Sequence, residues 1–299
     1  MKKVLTFTAI AFALFMSKAS AQEAQATYFP YPEVPAELMT LSERSDFLIS
    51  HFWDKCNISA AFSQPAKMSQ SFRDFISFMP YASAPIVNEA VAKLIKSVKN
   101  NDDLLKLSEI AEDALYGENA SYWSDEIYLP FAKAVVNNKK INKASRERFA
   151  AQVKCIESSE VGNACPDVKV TIADGTKASL RSLLSTEVPN ILFFNTVGCS
   201  DCAIVRLNFE TDLHVGNLLR DKKIRLISIS FSEPDQEWTN AIRGFSDDWT
   251  TSASLDIDEV FDLRLMPSFY IIDNSGKISA KRLSLPQVVE FATKLDVKQ

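Results

Sequence analysis

Cys199 and Cys202 lie three apart in Asn195-Thr196-Val197-Gly198-Cys199-Ser200-Asp201-Cys202, just after an apolar run and just before a helical pattern. Three kinds of chemistry suit such a pair. A thiolate attacks a disulfide and a nearby thiol resolves the mixed disulfide. Two cysteines at this spacing are also half of a tetrahedral zinc site. A closed pair that never reacts is an inert bridge. Ligand count argues against zinc, since there is no second CxxC and His51 and His214 are the only histidines. The remaining cysteines are Cys56, Cys155 and Cys165, and an odd total of 5 prevents all from pairing within one chain. Cys155 and Cys165 either close a short loop, worth about 2–3 kcal/mol, or stay free. Cys56, beside an apolar helical stretch, reads as a buried thiol.

Which chemistry applies depends on compartment. The chain opens MKKVLTFTAIAFALFMSKASAQ, with Lys2 and Lys3, an apolar run from Val4 to Met16, and small residues Ala19-Ser20-Ala21. This is the three-part pattern of a secretory signal, and it predicts cleavage after Ala21. The run is too short to span a bilayer as a helix, reaching only about 20 Å. No cysteine follows it to carry a lipid anchor. The expectation is export, with the periplasm of a Gram-negative bacterium as the destination and an oxidising environment in which disulfides persist. Loss of residues 1–21 removes three lysines and no acid, taking the formal charge from −5 to −8. That balance argues against nucleic acid as a partner.

The elements that must position the pair fall into two grammars. Within a domain expected over residues 22–157, residues 37 to about 157 read as helix after helix. Ser42 is a candidate N-cap for a first helix carrying Phe47, Leu48, His51 and Phe52. Further stripes at helical spacing follow: Met68 to Met79, Val87 to Val98, Leu104 to Leu115, Ile127 to Val136 around Pro130, and Ala144 to Ile156. Such stripes report burial first. Glu157 to Asn163 is a polar break. Residues 158–299 then alternate strand and helix: Val168 to Ile172, the apolar run Ile191 to Phe194, a helix from Ala203 to Arg220, a strand Ile224 to Ser230, helical stretches at Asp235 to Phe245 and Ile257 to Leu265, a hairpin from Ser268 to Leu283, and a terminal helix from Leu285.

A CxxC ending the first central strand, with Met266-Pro267-Ser268-Phe269 entering a later one and Asp273-Asn274-Ser275-Gly276 turning the hairpin, resembles the thioredoxin fold. The extra start at Val168 to Leu184 is similar to its membrane-associated and peroxiredoxin-like branch. The helical half, with Ser50-His51-Phe52-Trp53-Asp54, Asp113 to Glu118 and Tyr128-Leu129-Pro130, resembles the domain-of-unknown-function family 5106. The fold class expected is therefore an α/β thioredoxin-like C-terminal domain preceded by an all-α helical domain. The resemblance implies thiol–disulfide exchange with envelope proteins. Cys199 is then the nucleophile at a helix N-terminus, Cys202 the resolving thiol, and Pro267 a cis residue facing the pair, with Met266 offering backbone groups to an extended substrate. It implies protein thiols and disulfides as partners, a soluble or membrane electron donor, and no cofactor or metal.

Several positions depart from that pattern. Val197-Gly198 replaces a common Trp, and Phe193 stands where a buried acid is often found. Asp201 sits between the cysteines, where a carboxylate disfavours the thiolate by about 2 kcal/mol at an effective dielectric of about 20, and by less in water. About 1.4 kcal/mol corresponds to about 30 mV, so Asp201 is expected to make the pair a weak oxidant, with Arg206 offsetting part of the effect. Two rival readings stand. Thr196-Val197-Gly198-Cys199 matches part of a peroxiredoxin site, with Leu192 in place of its proline, and implies a thiol peroxidase. A non-catalytic envelope scaffold with a structural bridge is the other. Tyr28-Phe29-Pro30-Tyr31-Pro32 reads either as an extended arm or as a packed strap.

Overall fold

A computed structural model describes residues 27–118, 120 and 122–296. The expected export signal at residues 1–21 lies outside the described residues. The helical half contains α1 (Leu41–His51), α2 (Ile58–Ala61), α3 (Pro65–Ser77), α4 (Ala84–Ser97), α5 (Asn101–Leu115), α6 (Asp125–Asn137) and α7 (Lys143–Ser158). Its core is aromatic, with Phe52, Phe72, Phe75, Tyr128, Phe131 and Phe149 all fully buried. Tyr28 to Pro32 is a strap rather than an arm: Phe29 is buried against Phe52 and Trp53, and the Tyr31 hydroxyl donates to Asp74 Oδ2 at 2.7 Å. Pro130 leaves α6 continuous. Its missing N–H removes the one intrahelical bond that would reach the Glu126 carbonyl.

Two expectations for α1 are corrected. Its N-cap is Thr40, not Ser42, and Thr40 and Glu43 form a reciprocal capping box. Its buried face is Ser45, Ile49 and, just beyond the end, Phe52, while Phe47 and Leu48 are only half-buried and His51 is exposed.

The second half contains β1 (Lys169–Ile172), β2 (Lys177–Ser179), β3 (Asn190–Asn195), α8 (Ser200–Thr211), α9 (Leu213–Arg220), β4 (Arg225–Ser230), α10 (Gln236–Ala241), β5 (Thr250–Ala253), β6 (Ser268–Ile272), β7 (Ile278–Leu283) and α11 (Leu285–Asp296). One sheet runs β2-β1-β5-β4-β3-β6-β7. Strands β3, β4 and β5 are parallel, while β6 and β7 continue it antiparallel. All six residues of β3 are buried, as its apolar run requires of a central strand covered on both faces. Ile191 and Phe193 face a layer with Phe209, Val215, Leu218, Val288 and Ala292 of α8, α9 and α11. Leu192 and Phe194 face the other way, toward Ile257, Phe261 and Tyr270.

Two expectations fail here, and one strand was not foreseen. The helix from Ala203 to Arg220 is two helices, because Asp212 leaves helical geometry and caps α9 by accepting from the Val215 N–H. Between Ile257 and Leu265 only a 3-10 turn at Ile257–Glu259 forms. Strand β5, not foreseen, completes the sheet by joining β4 to β1.

The halves are docked by polar contacts. Asp125 at the start of α6 takes Arg264 at 2.7 Å, Lys281 at 2.8 Å and Arg282 at 3.1 Å. Asp262 binds Arg264 at 2.6 Å and Arg282 at 3.1 Å. The Arg264 guanidinium also donates to the Tyr116 carbonyl and lies 3.7 Å from the centre of the Tyr116 ring. From α7, Ser158 donates to the Val260 carbonyl and Lys154 pairs with Glu259.

Candidate active site

Strand β3 ends at Asn195, and Thr196 to Gly198 carry the chain to Cys199, the N-cap of α8. Gly198 has φ +78°, a left-handed turn that glycine adopts without the cost borne by other residues. Cys199 is partly exposed and Cys202 is buried, and the two are disulfide-bonded with Cα atoms 5.2 Å apart. The Cys199 sulfur accepts the Cys202 N–H at 3.1 Å, so the helix start already offers it a donor.

A cavity of about 130 Å³ lies against the pair. Phe193 lines it and is buried among Phe209, Trp249 and Phe269, so the position of the often-found acid is wholly apolar. Trp238 and Phe245, from the segment after β4, form another wall. Sequence reasoning missed them, and the available signal was a crossover from Phe231 to Trp249 that carries four bulky aromatics among polar residues. Asp201 lies in the first turn of α8 with its side chain in solvent. Arg206 lines the cavity, but its guanidinium donates to Glu210 at 2.6 Å and to the Gly244 carbonyl, and stacks on Phe245. Its charge is thus largely matched by Glu210. The Thr196 hydroxyl donates to the Phe231 carbonyl at 2.9 Å.

Pro267 follows a cis peptide bond and opens β6. Phe194 pairs with Ser268 in the antiparallel β3–β6 ladder, and continuing that register sets Met266 level with Thr196. Both line a second cleft, of about 380 Å³, whose far wall is Tyr116, Ala151, Gln152 and Cys155 of the helical domain. Arg264, two residues before Met266, is the hub of the interdomain ion network. Asp262 shares two of its cations, Arg264 and Arg282, with Asp125 from the other domain.

The remaining cysteines are free thiols. Burial pushes Cys155 and Cys165 up to about 12 and Cys56 to about 11. Cys56 is half-buried rather than buried. No group of three or more His, Cys, Asp or Glu residues suited to a metal ion occurs among the described residues.

The sheet order, the CxxC at the strand-to-helix junction and the cis proline entering β6 make the C-terminal half a thioredoxin-like domain. The N-terminal region carries a further domain: the family model described as Domain of unknown function (DUF5106) matches residues 15–159. A thioredoxin-like protein from Bacteroides caccae, a crystal structure, is 21% identical with a TM-score of 0.74, covering 90% of this chain and 99% of that one. That likeness extends the shared fold over both halves. The C-terminal domain of an uncharacterized protein from Bacteroides fragilis is 24% identical (TM-score 0.42), covering 46% of this chain and 99% of that one. The thioredoxin domain of a thiol-disulfide oxidoreductase from Bacteroides vulgatus is 22% identical (TM-score 0.36), covering 44% and 98%. No curated protein matches the chain.

Proposed function

We propose that this protein is an exported thiol–disulfide oxidoreductase that reduces or exchanges disulfides of envelope proteins. The observation that carries the reading is the asymmetry of the pair: Cys199 is partly exposed at a helix N-terminus, and Cys202 is buried one turn behind it. In the reduced protein the Cys199 thiolate attacks a substrate disulfide, forming a mixed disulfide and expelling one substrate thiolate. Cys202, as thiolate, then attacks the Cys199 sulfur, closes the Cys199–Cys202 bond and releases the second substrate thiolate. Two electrons pass from the pair to the substrate, and the two protons of the pair end on the substrate thiols. A dithiol electron donor, soluble or membrane-held, resets the pair. In exchange, a second substrate thiol attacks the mixed disulfide instead, with no net electron transfer.

Met266 and Pro267 are the substrate-side elements in this reading, supported by the register that sets Met266 level with Thr196 and by the cis bond between them. Asp201 and Arg206 tune the potential, Asp201 weakly because it is solvated and Arg206 weakly because Glu210 matches its charge. The signal pattern of residues 1–21 supports the periplasm of a Gram-negative bacterium as the location. The test is a thiol-trapping redox titration of the purified mature protein beside Cys199→Ser and Cys202→Ser. A reversible two-electron couple lost in both variants supports the reading, and its midpoint sets the direction. A bond that resists reduction until the protein unfolds makes it a structural bridge and refutes it.

A further inference from the structure

We propose that the cleft between the two domains receives a large apolar side chain of the substrate polypeptide, flanking the disulfide presented to Cys199, so that the helical domain selects the substrate. The inference rests on the redox reading of the pair and names the substrate class.

The first support is continuity. Thr196 lines both the cavity against Cys199 and Cys202 and the interdomain cleft, and Met266 stands across from it on the cleft wall. An extended segment that crosses Met266 to bring its sulfur to Cys199 must set a neighbouring side chain at the mouth of this cleft. Alternate residues of an extended strand point to opposite faces, so one side chain enters while the next points away.

The second support is the chemistry of the walls. Phe231, Phe261, Leu263 and Met266 face Tyr116 and Ala151 across about 380 Å³. Asp258, Asp262 and Arg264 also line the cleft; Asp258 is exposed to solvent, whereas Asp262 and Arg264 are bound to each other, and Arg264 is held further by Asp125 and the Tyr116 carbonyl. Cys155 on the wall is a free thiol that burial keeps protonated, so it offers an apolar sulfur surface. What remains open to an occupant is mostly apolar, and a Phe or Leu gains most there from leaving water. One third of the lining is built by the DUF5106 domain, in its Asp113 to Glu118 segment and on α7. That gives the helical half a role that the thioredoxin-like half cannot supply alone.

The test uses the full mature chain with two readouts. Ala151 is exposed on α7 and lines the cleft but not the cavity against Cys199 and Cys202, so Ala151→Trp fills the cleft and leaves the redox pair itself unaltered. The probes are disulfide-linked peptides of one charge in which a single Phe is scanned through the three residues on either side of the cysteine, with Ser elsewhere. First, the reduced protein is assayed for kcat/KM on each peptide and on hydroxyethyl disulfide. The expected result is a preference of about tenfold for one Phe position. That preference is lost in Ala151→Trp, while hydroxyethyl disulfide turns over equally in both proteins. Second, binding of the same peptides with blocked thiols to the Cys199→Ser/Cys202→Ser protein is followed by fluorescence anisotropy, which requires no redox step. The same Phe position should bind about tenfold tighter than the all-Ser peptide, and Ala151→Trp should abolish the difference. Equal binding of all peptides, or a Phe preference that survives Ala151→Trp, overturns the cleft. Failure on hydroxyethyl disulfide refutes the redox reading instead, and the anisotropy result still decides the cleft.

Discussion

Replacing Asp125 by Ala tests whether the two domains are held by a specific ionic clamp. Asp125 is 12% exposed and accepts from Arg264 and Lys281, which are 11% and 13% exposed, and from Arg282 at 19%. Exposed pairs contribute about 0–1 kcal/mol, whereas removing one partner from a buried pair costs about 3–5 kcal/mol by leaving a charge uncompensated. The clamp lies near the buried limit. Among the described residues Asp125 is the only ion-pair partner of Lys281, while Arg264 and Arg282 keep Asp262. The loss should therefore fall at the lower end, about 3 kcal/mol, or about 6–12 °C in Tm for a protein of this size. Urea unfolding and calorimetry measure it. Adding Lys281→Met to Asp125→Ala should restore roughly half, because an unpaired ammonium is replaced by an apolar chain of similar length. A change below about 0.5 kcal/mol in the single variant, the range of an ordinary surface substitution, would show that the contact contributes little and refute the reasoning.

The same residue predicts an acid limit. Burial alone would raise the Asp125 carboxyl, but the Lys281 hydrogen bond and the charges of Lys281, Arg282 and Arg264 more than offset it and hold it below its ordinary value. Its stabilisation is thus fully present above the unfolded value of about 3.9 and lost as pH falls through the lower folded value, so Tm against pH should drop there and do so less in Asp125→Asn. After reduction at pH 7, iodoacetamide should modify Cys199 first. With thiols pushed to about 12, Cys155 and Cys165 carry only about one part in 100,000 thiolate, and mass spectrometry should find them unmodified until the chain unfolds. Gly198→Ala should cost about 1 kcal/mol from backbone strain alone, since no atom lies within 4 Å of the added Cβ; recovery of wild-type stability in urea would contradict that. Asp201→Asn should raise the reduction potential of the pair by only about 10 mV, because water and salt screen the exposed carboxylate; a fall in potential contradicts the sign of the effect.

Where a residue's burial is dictated by its neighbours in sequence, the chain was readable. Ile191 to Phe194 announce a strand covered on both faces, and the cysteines at its end fix where the site must be. The stripes Met68 to Met79 and Leu104 to Leu115 place their helices for the same reason. Thr40 was legible too, since Thr-Leu-Ser-Glu is a capping box, but Ser42 competes for the same role by residue type alone. Thr250 to Ala253 was not legible: its small polar residues are buried because β4 and β1 flank them, a tertiary cause with no local signature. The break at Asp212 hides inside an apolar pattern that runs through it. The cleft was beyond local reading altogether, because Tyr116 and Met266 meet only once Asp125 and Arg264 have found each other across the domains.

The cationic end of β7 has one more consequence. In a sheet ordered β2-β1-β5-β4-β3-β6-β7, the terminal strands present unpaired backbone that another chain can add to. Strand β2 limits that exposure by being three residues long. Strand β7 is longer, and the interdomain connection covers its start: the Gly162 N–H donates to the Ile278 carbonyl, the Ile278 N–H donates to the Asn163 carbonyl, and Ala164 bridges Lys277 just before the strand. Its register against β6 is irregular, with Arg282 at φ +55° beside Lys281, and both side chains are drawn onto Asp125. The clamp is therefore also a guard against strand addition. A chain whose domains part at this contact exposes a sheet margin together with an apolar cleft, and its failure is self-association before it is loss of the redox centre.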